Sequence, residues 1–344
     1  MAVLWLVIVG AFAAFNAVFW PAHMHQADRD PAQFLAYARK LDGLGETLPA
    51  LVRLRQGIRQ HHPPWPEPYE LLQGWLRRAG AEDEALALEP VIAFYRALST
   101  GDADRGKELR QAVRGVREQK AVARVDASTC DAVNQLAGDF SRALGLLDTV
   151  GPMSCEEQLA LLRLSGPLRT DGRVGETGVR SPVDIVVQSG GGAGPRGVAH
   201  LFIRGREYAK RQRGLHAALV DAQSGQVFAL GDFDIWDSAA EAARMTQFLR
   251  EAPAGCIGVF AVRDDASANL TPALEAELLG FGLECQAVIN YEPALLGLRY
   301  SFAAIGVKGA SAGTALQAWS PEAFQGYPGH PVACGVIGGR GAGP

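Results

Sequence analysis

Arg263-Asp264-Asp265 stands where an apolar run, "GCIGVFAV", stops and shortly before a helix-like run, "TPALEAELLGFG", begins. A guanidinium beside two carboxylates could do three kinds of work. Paired carboxylates can trade a proton, as general acid–base catalysis requires. Arg and Asp side chains can also hold the hydroxyl groups of a ligand by directed hydrogen bonds. Or they can simply fasten a turn. In that reading Asn269 or Thr271 caps the helix that opens at Pro272, and nearby acidic groups complement its dipole. The turn reading needs no ligand. The acid–base reading lacks an accompanying nucleophile, metal or set of oxyanion donors. No catalytic residue is therefore assigned, and the chain is expected not to be an enzyme. The recognition reading brings in Arg299 as a second polar arm and Trp236 and Tyr300 as aromatic platforms. The candidate ligand-binding set is thus Arg263, Asp264, Asp265, Arg299, Trp236 and Tyr300.

Other motifs carry less. "SGGGAGPRG" (189–197) lacks the Lys-Ser/Thr of a phosphate-binding loop and leads into a strand-like run. His61-His62 lies beside Pro63-Pro64 in a turn. No H-E-x-x-H pair occurs. The five cysteines include no C-x-x-C. No metal and no cofactor are expected. Cys130 and Cys155 fall on neighbouring helical runs joined by a Gly-Pro turn and form a candidate disulfide, although spacing alone does not fix the distance between them. Cys256 and Cys285 read as buried free thiols.

The elements that must position these residues fall into distinct stretches. The chain has 344 residues, 48% hydrophobic and 20% charged, which suffices for two domains with cores. Net charge is −4 with no basic patch interleaved with aromatics, so nucleic acid is not expected as a partner. Of the 33 basic residues 28 are Arg, a bias that with abundant Ala and Gly suggests a GC-rich bacterial genome. From 31 to 164, runs such as "EPYELLQGWLRRAG" and "PVIAFYRALSTG" carry apolar residues at helical spacing. They predict an all-α array of helical hairpins, loosely resembling tetratricopeptide-type repeats without their consensus of about 34 residues. Such an array can present a surface to partners or serve as a plain spacer. Residues 165–181, rich in Gly and Arg, read as a linker. From 182 to 335 strand-like runs ("VDIVVQS", "GLHAALVDA", "CIGVFAVRD") alternate with two helical ones, predicting an α/β domain. Residues 336–344 read as a Gly-rich tail.

The stretch from Ala2 to Trp20 carries no charge, and about 20 apolar residues span a bilayer as a helix. Residues 1–22 are therefore expected to form a transmembrane anchor. A cleaved signal peptide is the rival reading, but no Lys or Arg precedes Arg29. Basic residues after the span favour a cytoplasmic C-terminal side, whereas cysteine usage favours an oxidising one.

The α/β stretch resembles a known family. "RGLHAALVDAQSGQVFALGDFDIW" (213–236), the helix-strand-loop segment through Asp264-Asp265, and "GLRYSFAAIGVKG" (297–309) are similar, in order, to motifs of the ILEI domain. This is the GG domain of the interleukin-like inducers of epithelial–mesenchymal transition. Ile235, Trp236, Tyr300 and Phe302 depart from the family pattern. The resemblance implies an extracellular or lumenal α/β sandwich without an established catalytic centre. A related module in a glycosyltransferase stem binds a terminal sugar, which implies carbohydrate recognition as one use.

The expected architecture is thus a transmembrane helix, a helical-hairpin domain and a C-terminal α/β sandwich of ILEI type. The expected function is that of a non-catalytic scaffold, an accessory subunit of a bacterial membrane complex of respiratory or photosynthetic type. It would sit in the inner membrane with its domains on the periplasmic side. The alternatives are a module recognising a cell-surface or cell-wall glycan and a regulatory module of a glycan-processing enzyme.

Overall fold

The computed structural model describes residues 31–61, 63, 65–99, 102–119, 125, 127–143, 152–192, 197–209, 212–285, 287–289, 292–320, 323–324, 327–328 and 330–338. Among the described residues the helices of the first half are α1 (Pro31–Gly43), α2 (Thr47–His61), α3 (Glu67–Arg78), α4 (Glu82–Ala87), α5 (Glu89–Ser99), α6 (Asp102–Gln119), α7 (Ala127–Ala143) and α8 (Cys155–Leu164). Helix α3 shows why they form. Pro68 fits its first turn, Glu67 and Glu70 face its positive end, and Arg77 and Arg78 close its negative end. Its buried stripe, Tyr69, Leu72, Trp75 and Leu76, has helical spacing. Ser154 starts α8 with a capping box, accepting from Glu157 N while Glu157 accepts from Ser154 N.

Among the described residues fourteen strands follow: β1 (Leu168–Arg169), β2 (Ile185–Gly191), β3 (Val198–Ile203), β4 (Arg206–Glu207), β5 (Gly214–Val220), β6 (Val227–Phe233), β7 (Ile257–Asp264), β8 (Ala287–Ile289), β9 (Glu292–Ala294), β10 (Ser301–Val307), β11 (Leu316–Ser320), β12 (Ala323–Phe324), β13 (Tyr327–Pro328) and β14 (Val332–Val336). Helices α9 (Ala239–Arg250) and α10 (Pro272–Leu279) flank β7 in sequence. Ten strands join one mixed sheet in the order β1-β14-β2-β7-β10-β11, with β3 and β4 continuing from β2, and β5 and β6 from β7. The pairs β1/β14 and β2/β7 are parallel.

This sheet folds over on itself. Ile185, Val187 and Leu201 on one half pack against Val259, Ala261 and Ile305 on the other in a shared apolar core. Helices α9 and α10 cover one outer face through Met245, Leu249, Leu274 and Leu278. Helices α7 and α8 cover the other through Val133, Leu136, Leu159 and Leu162, which meet Val186, Phe202 and Ala333. The order is helices, strands, strands, helices. Strand β2 is buried throughout because both its faces are covered, which explains its unbroken apolar run.

The expected architecture needs correction. The transmembrane helix over 1–22 lies outside the described residues. Among the described residues no helix is long and apolar enough to cross a membrane, so the structure gives the expected anchor no support. The α/β part is one ten-stranded mixed sheet rather than a free-standing sandwich, and it takes its outer helical layer from the first half of the chain. The Gly- and Arg-rich stretch 165–181 packs on the sheet: β1 pairs with β14, and Gly172 N and Ser181 N donate to Ile337 O and Gly172 O. The C-terminal stretch also contributes, since Val336 ends β14 and Ile337 is buried.

Polar and covalent ties reinforce the contact between helices and sheet. Cys130 in α7 is bonded to Cys155 at the start of α8, their Cα atoms 5.9 Å apart. Gln188 Nε2 donates to Leu136 O, 2.9 Å away. His200 Nε2 donates to Asp139 of α7 (2.8 Å) and its Nδ1 to Glu207 of β4 (2.6 Å), which calls for a doubly protonated ring. Burial opposes that charge, but the two carboxylates outweigh it and raise the His200 pKa. His330, just before β14, inserts its ring edge-on against Phe94 of α5 (5.7 Å between centroids). Burial there lowers its pKa to about 4.

Candidate functional site

The site forms where the two halves of the sheet separate. Ser189 of β2 donates its hydroxyl to Val262 O (2.5 Å) and accepts from Phe302 N (2.8 Å), bridging β7 and β10. Ser301 Oγ accepts from Gly191 N (2.9 Å). A Cβ on Gly191 would fall 2.0 Å from Arg299 O, so only glycine lets these backbones meet. Asp264 O, at the end of β7, accepts from Gly192 N (3.0 Å).

Two residues here have left-handed backbones, Asp264 at φ 60° and Arg299 at φ 53°. Such conformations cost about 1–3 kcal/mol each and persist only where the surroundings impose them. Their side chains face each other, with Arg299 Nε 3.9 Å from Asp264 Oδ1. That oxygen is buried and accepts no hydrogen bond among the described residues. A buried acceptor in this condition is open to a donor from a ligand or a water.

Asp265 is different. It is 2% exposed, and its carboxylate is fully engaged by the protein. Oδ1 accepts from Ser267 N and Ser267 Oγ (both 2.8 Å), and Oδ2 accepts from Arg299 N (3.1 Å). Asp265 therefore ties the β7–α10 loop to the turn before β10. Thr271 accepts from Leu274 N and caps α10, with Pro272 in its first turn. Asn269 instead donates to Trp236 O (3.0 Å).

The structure thus brings Asp264, Asp265, Arg299 and Tyr300 together. Tyr300 stacks flat on Trp319, with centroids 5.5 Å apart and planes at 6°, and burial raises its hydroxyl pKa. Trp236 joins the same loop through its carbonyl. Arg263 lies in register with Gly214 of β5 and Gly190 of β2.

Sequence reasoning missed Arg213 and Asp234 as members of this surface. Arg213 grips the Asp234 carboxylate with two nitrogens (Nε–Oδ1 3.0 Å, Nη2–Oδ2 2.9 Å) and stands 3.7 Å from Asp237. Its pKa is raised chiefly by the hydrogen bonds to Asp234, with smaller charge contributions that include Asp264. The signal was present as Arg213-Gly214 and Asp234 at the two ends of one β-hairpin. The result is an arc of alternating charge at the strand ends, with strained backbone at its centre and a stacked aromatic pair beside it. It can hold hydroxyl or amide groups by directed hydrogen bonds. Among the described residues no three His, Cys, Asp or Glu side chains are grouped to hold a metal ion.

Residues 213–310 match the family model described as interleukin-like EMT inducer, so the C-terminal half carries an ILEI domain. No curated protein sequence matches the chain. The matched span starts at Arg213 and includes Asp264, Asp265 and Arg299. Ser189, Gly191 and β14, which complete the strand junction, lie outside it.

Proposed function

We propose that this chain is a non-catalytic docking protein, an accessory subunit of a larger assembly in an oxidising compartment. The observation that carries this reading is the attachment of the helical array to the outer face of the ILEI-bearing sheet. An apolar cluster, the His200 bridge and the inserted His330 join them. Contacts between domains within one chain are commonly small and mobile. This one is apolar and cross-braced, which suits a rigid body that sets partners at fixed positions. Exposed apolar side chains support the reading. Leu48 and Val52, one turn apart on α2, are 73% and 62% exposed, and Leu44 is close to them in sequence. The Cys130–Cys155 bond supports an oxidising compartment. Cross-linking in intact cells tests the proposal: one discrete species of higher mass is expected, and monomer alone contradicts it.

A second reading is favoured by Asp264. Its buried Oδ1, which accepts no hydrogen bond among the described residues, lies beside Arg299 and suits a hydroxyl-bearing ligand such as a glycan. Glycan-array binding by the full chain should then disappear in Asp264→Asn while the thermal melt is kept. Equal array signals for the two proteins would remove this reading.

A further inference from the structure

One imidazole ring joins three elements at the contact between helices and sheet. His200 stands on β3 with its side chain 11% exposed. Its Nε2 meets Asp139 of α7, and its Nδ1 meets Glu207 of β4. Behind these partners Arg142 pairs with Asp139, and Gln135 Nε2 donates to Glu207 (3.3 Å). Gln188 of β2, opposite His200 in register, is neutral, and Phe202 stacks beside the ring. Among the described residues the charged groups around His200 are thus Asp139, Glu207 and Arg142. The bridge holds one particular part of α7. The start of that helix is tied by Cys130–Cys155 and by Thr129 Oγ1, which donates to Asp184 (3.0 Å). Its middle is tied by Val133, Leu136 and the Gln188 bond to Leu136 O. Past Leu136 its apolar residues Ala137 and Phe140 turn to the helical core, and the tie to the sheet becomes polar.

We infer that His200 is a pH-sensitive latch on the C-terminal end of α7. An imidazolium donates from both nitrogens and satisfies both carboxylates. A neutral ring keeps one N–H and turns a lone pair toward the other carboxylate. Acceptor then faces acceptor, and one arm of the bridge opens. Burial pushes the proton off the ring, but the two carboxylates together outweigh it, so opening lies above the ordinary 6.5. The latch is closed below that value and opens as pH rises through the folded one. The ties at the start and middle of α7 use no histidine and stay in place. The inference does not depend on the docking reading. It makes part of the attachment between helices and sheet conditional on pH.

The test is hydrogen–deuterium exchange of the full chain at about pH 6 and about pH 9, either side of the histidine range, with each rate divided by the intrinsic rate at its pH. Peptides covering residues 136–143 should lose protection by about tenfold or more at the higher pH, the worth of one hydrogen bond to a charged group. Peptides from β5 and β7 should keep theirs. His200→Gln should show the weaker protection at both pH values. Glu207→Gln separates a latch from a plain structural contact. Its amide can donate to Nδ1 of a neutral ring while the Nε2 proton serves Asp139, so protection should stay high at both pH values. Equal protection of 136–143 in wild type at the two pH values overturns the proposal. So does a pH response of wild-type size in either variant, which assigns it to another group.

Discussion

The strand-end arc and the groove between α6 and the chain entering α8 hold similar side chains in different settings, one buried and one exposed. In the arc, Asp265 is engaged by three protein donors and Arg213 by Asp234. In the α6 groove, Arg117 meets Glu156 and Glu157 at exposed positions, and Arg110 and Arg114 line the same helix. The conspicuous Arg-Asp-Asp of the sequence therefore serves mainly to hold loops together, with one oxygen of Asp264 left over. The arginines of the groove gather where no motif marks them, from helical spacing along α6. Charge buried in the fold is expected to affect stability strongly, and charge paired at the exposed surface to affect it little.

The largest expected effect is at Asp265. Replacing it by Ala strands Arg299 N and the two Ser267 donors, and should lower unfolding free energy by about 3–4 kcal/mol. Urea denaturation measures this, and a loss below about 1 kcal/mol would break the contrast with the groove. His330 comes next. Its folded pKa is about 4 against an ordinary 6.5, so between those values the unfolded chain binds the extra proton. Stability should therefore rise by about 3 kcal/mol as pH increases across that window, and His330→Phe should flatten the rise. His200 works with the opposite sign. Its raised pKa, set against Asp139, Glu207 and the adjoining Arg142, gives stability that is complete below the ordinary value and fades as pH climbs through the folded one. Denaturation midpoints across pH should fall on the alkaline side in wild type and stay level there in His200→Gln.

Smaller effects sharpen the comparison. Asp264→Gly should keep stability within about 1 kcal/mol of wild type and tend toward a gain, because glycine tolerates its left-handed backbone. A large loss there would show that Asp264, like Asp265, mainly holds the fold. Arg114→Glu should change stability by no more than about 0.5 kcal/mol in urea denaturation, as an exposed substitution in a helix.

Local elements were legible because their signals are local. The run "CIGVFAVRD" contains β7, "GLHAALVDA" contains β5, and Thr271-Pro272 marks the start of α10. The Cys130–Cys155 pair was a candidate because its helices are neighbours. What stayed hidden depends on distant pairings. Nothing in Val332–Val336 indicates that β14 lies between β1 and β2, or that residues 165–181 pack against it. Helical periodicity in α7 marks an apolar face but not that the face meets a sheet. The site was half legible for the same reason. Asp264 and Asp265 are adjacent in sequence, while their partners Arg299 and Gly191 arrive from other strands. The opposing roles of the two aspartates follow from one left-handed residue, and Asp gives only a weak hint of that geometry.

The most direct test of the docking account is native mass spectrometry of the full chain, recovered under mild conditions from cells that make it at natural levels. The account predicts one assembly with this chain at fixed stoichiometry, unchanged across preparations. A chain that flies alone at its own mass in every preparation would contradict it.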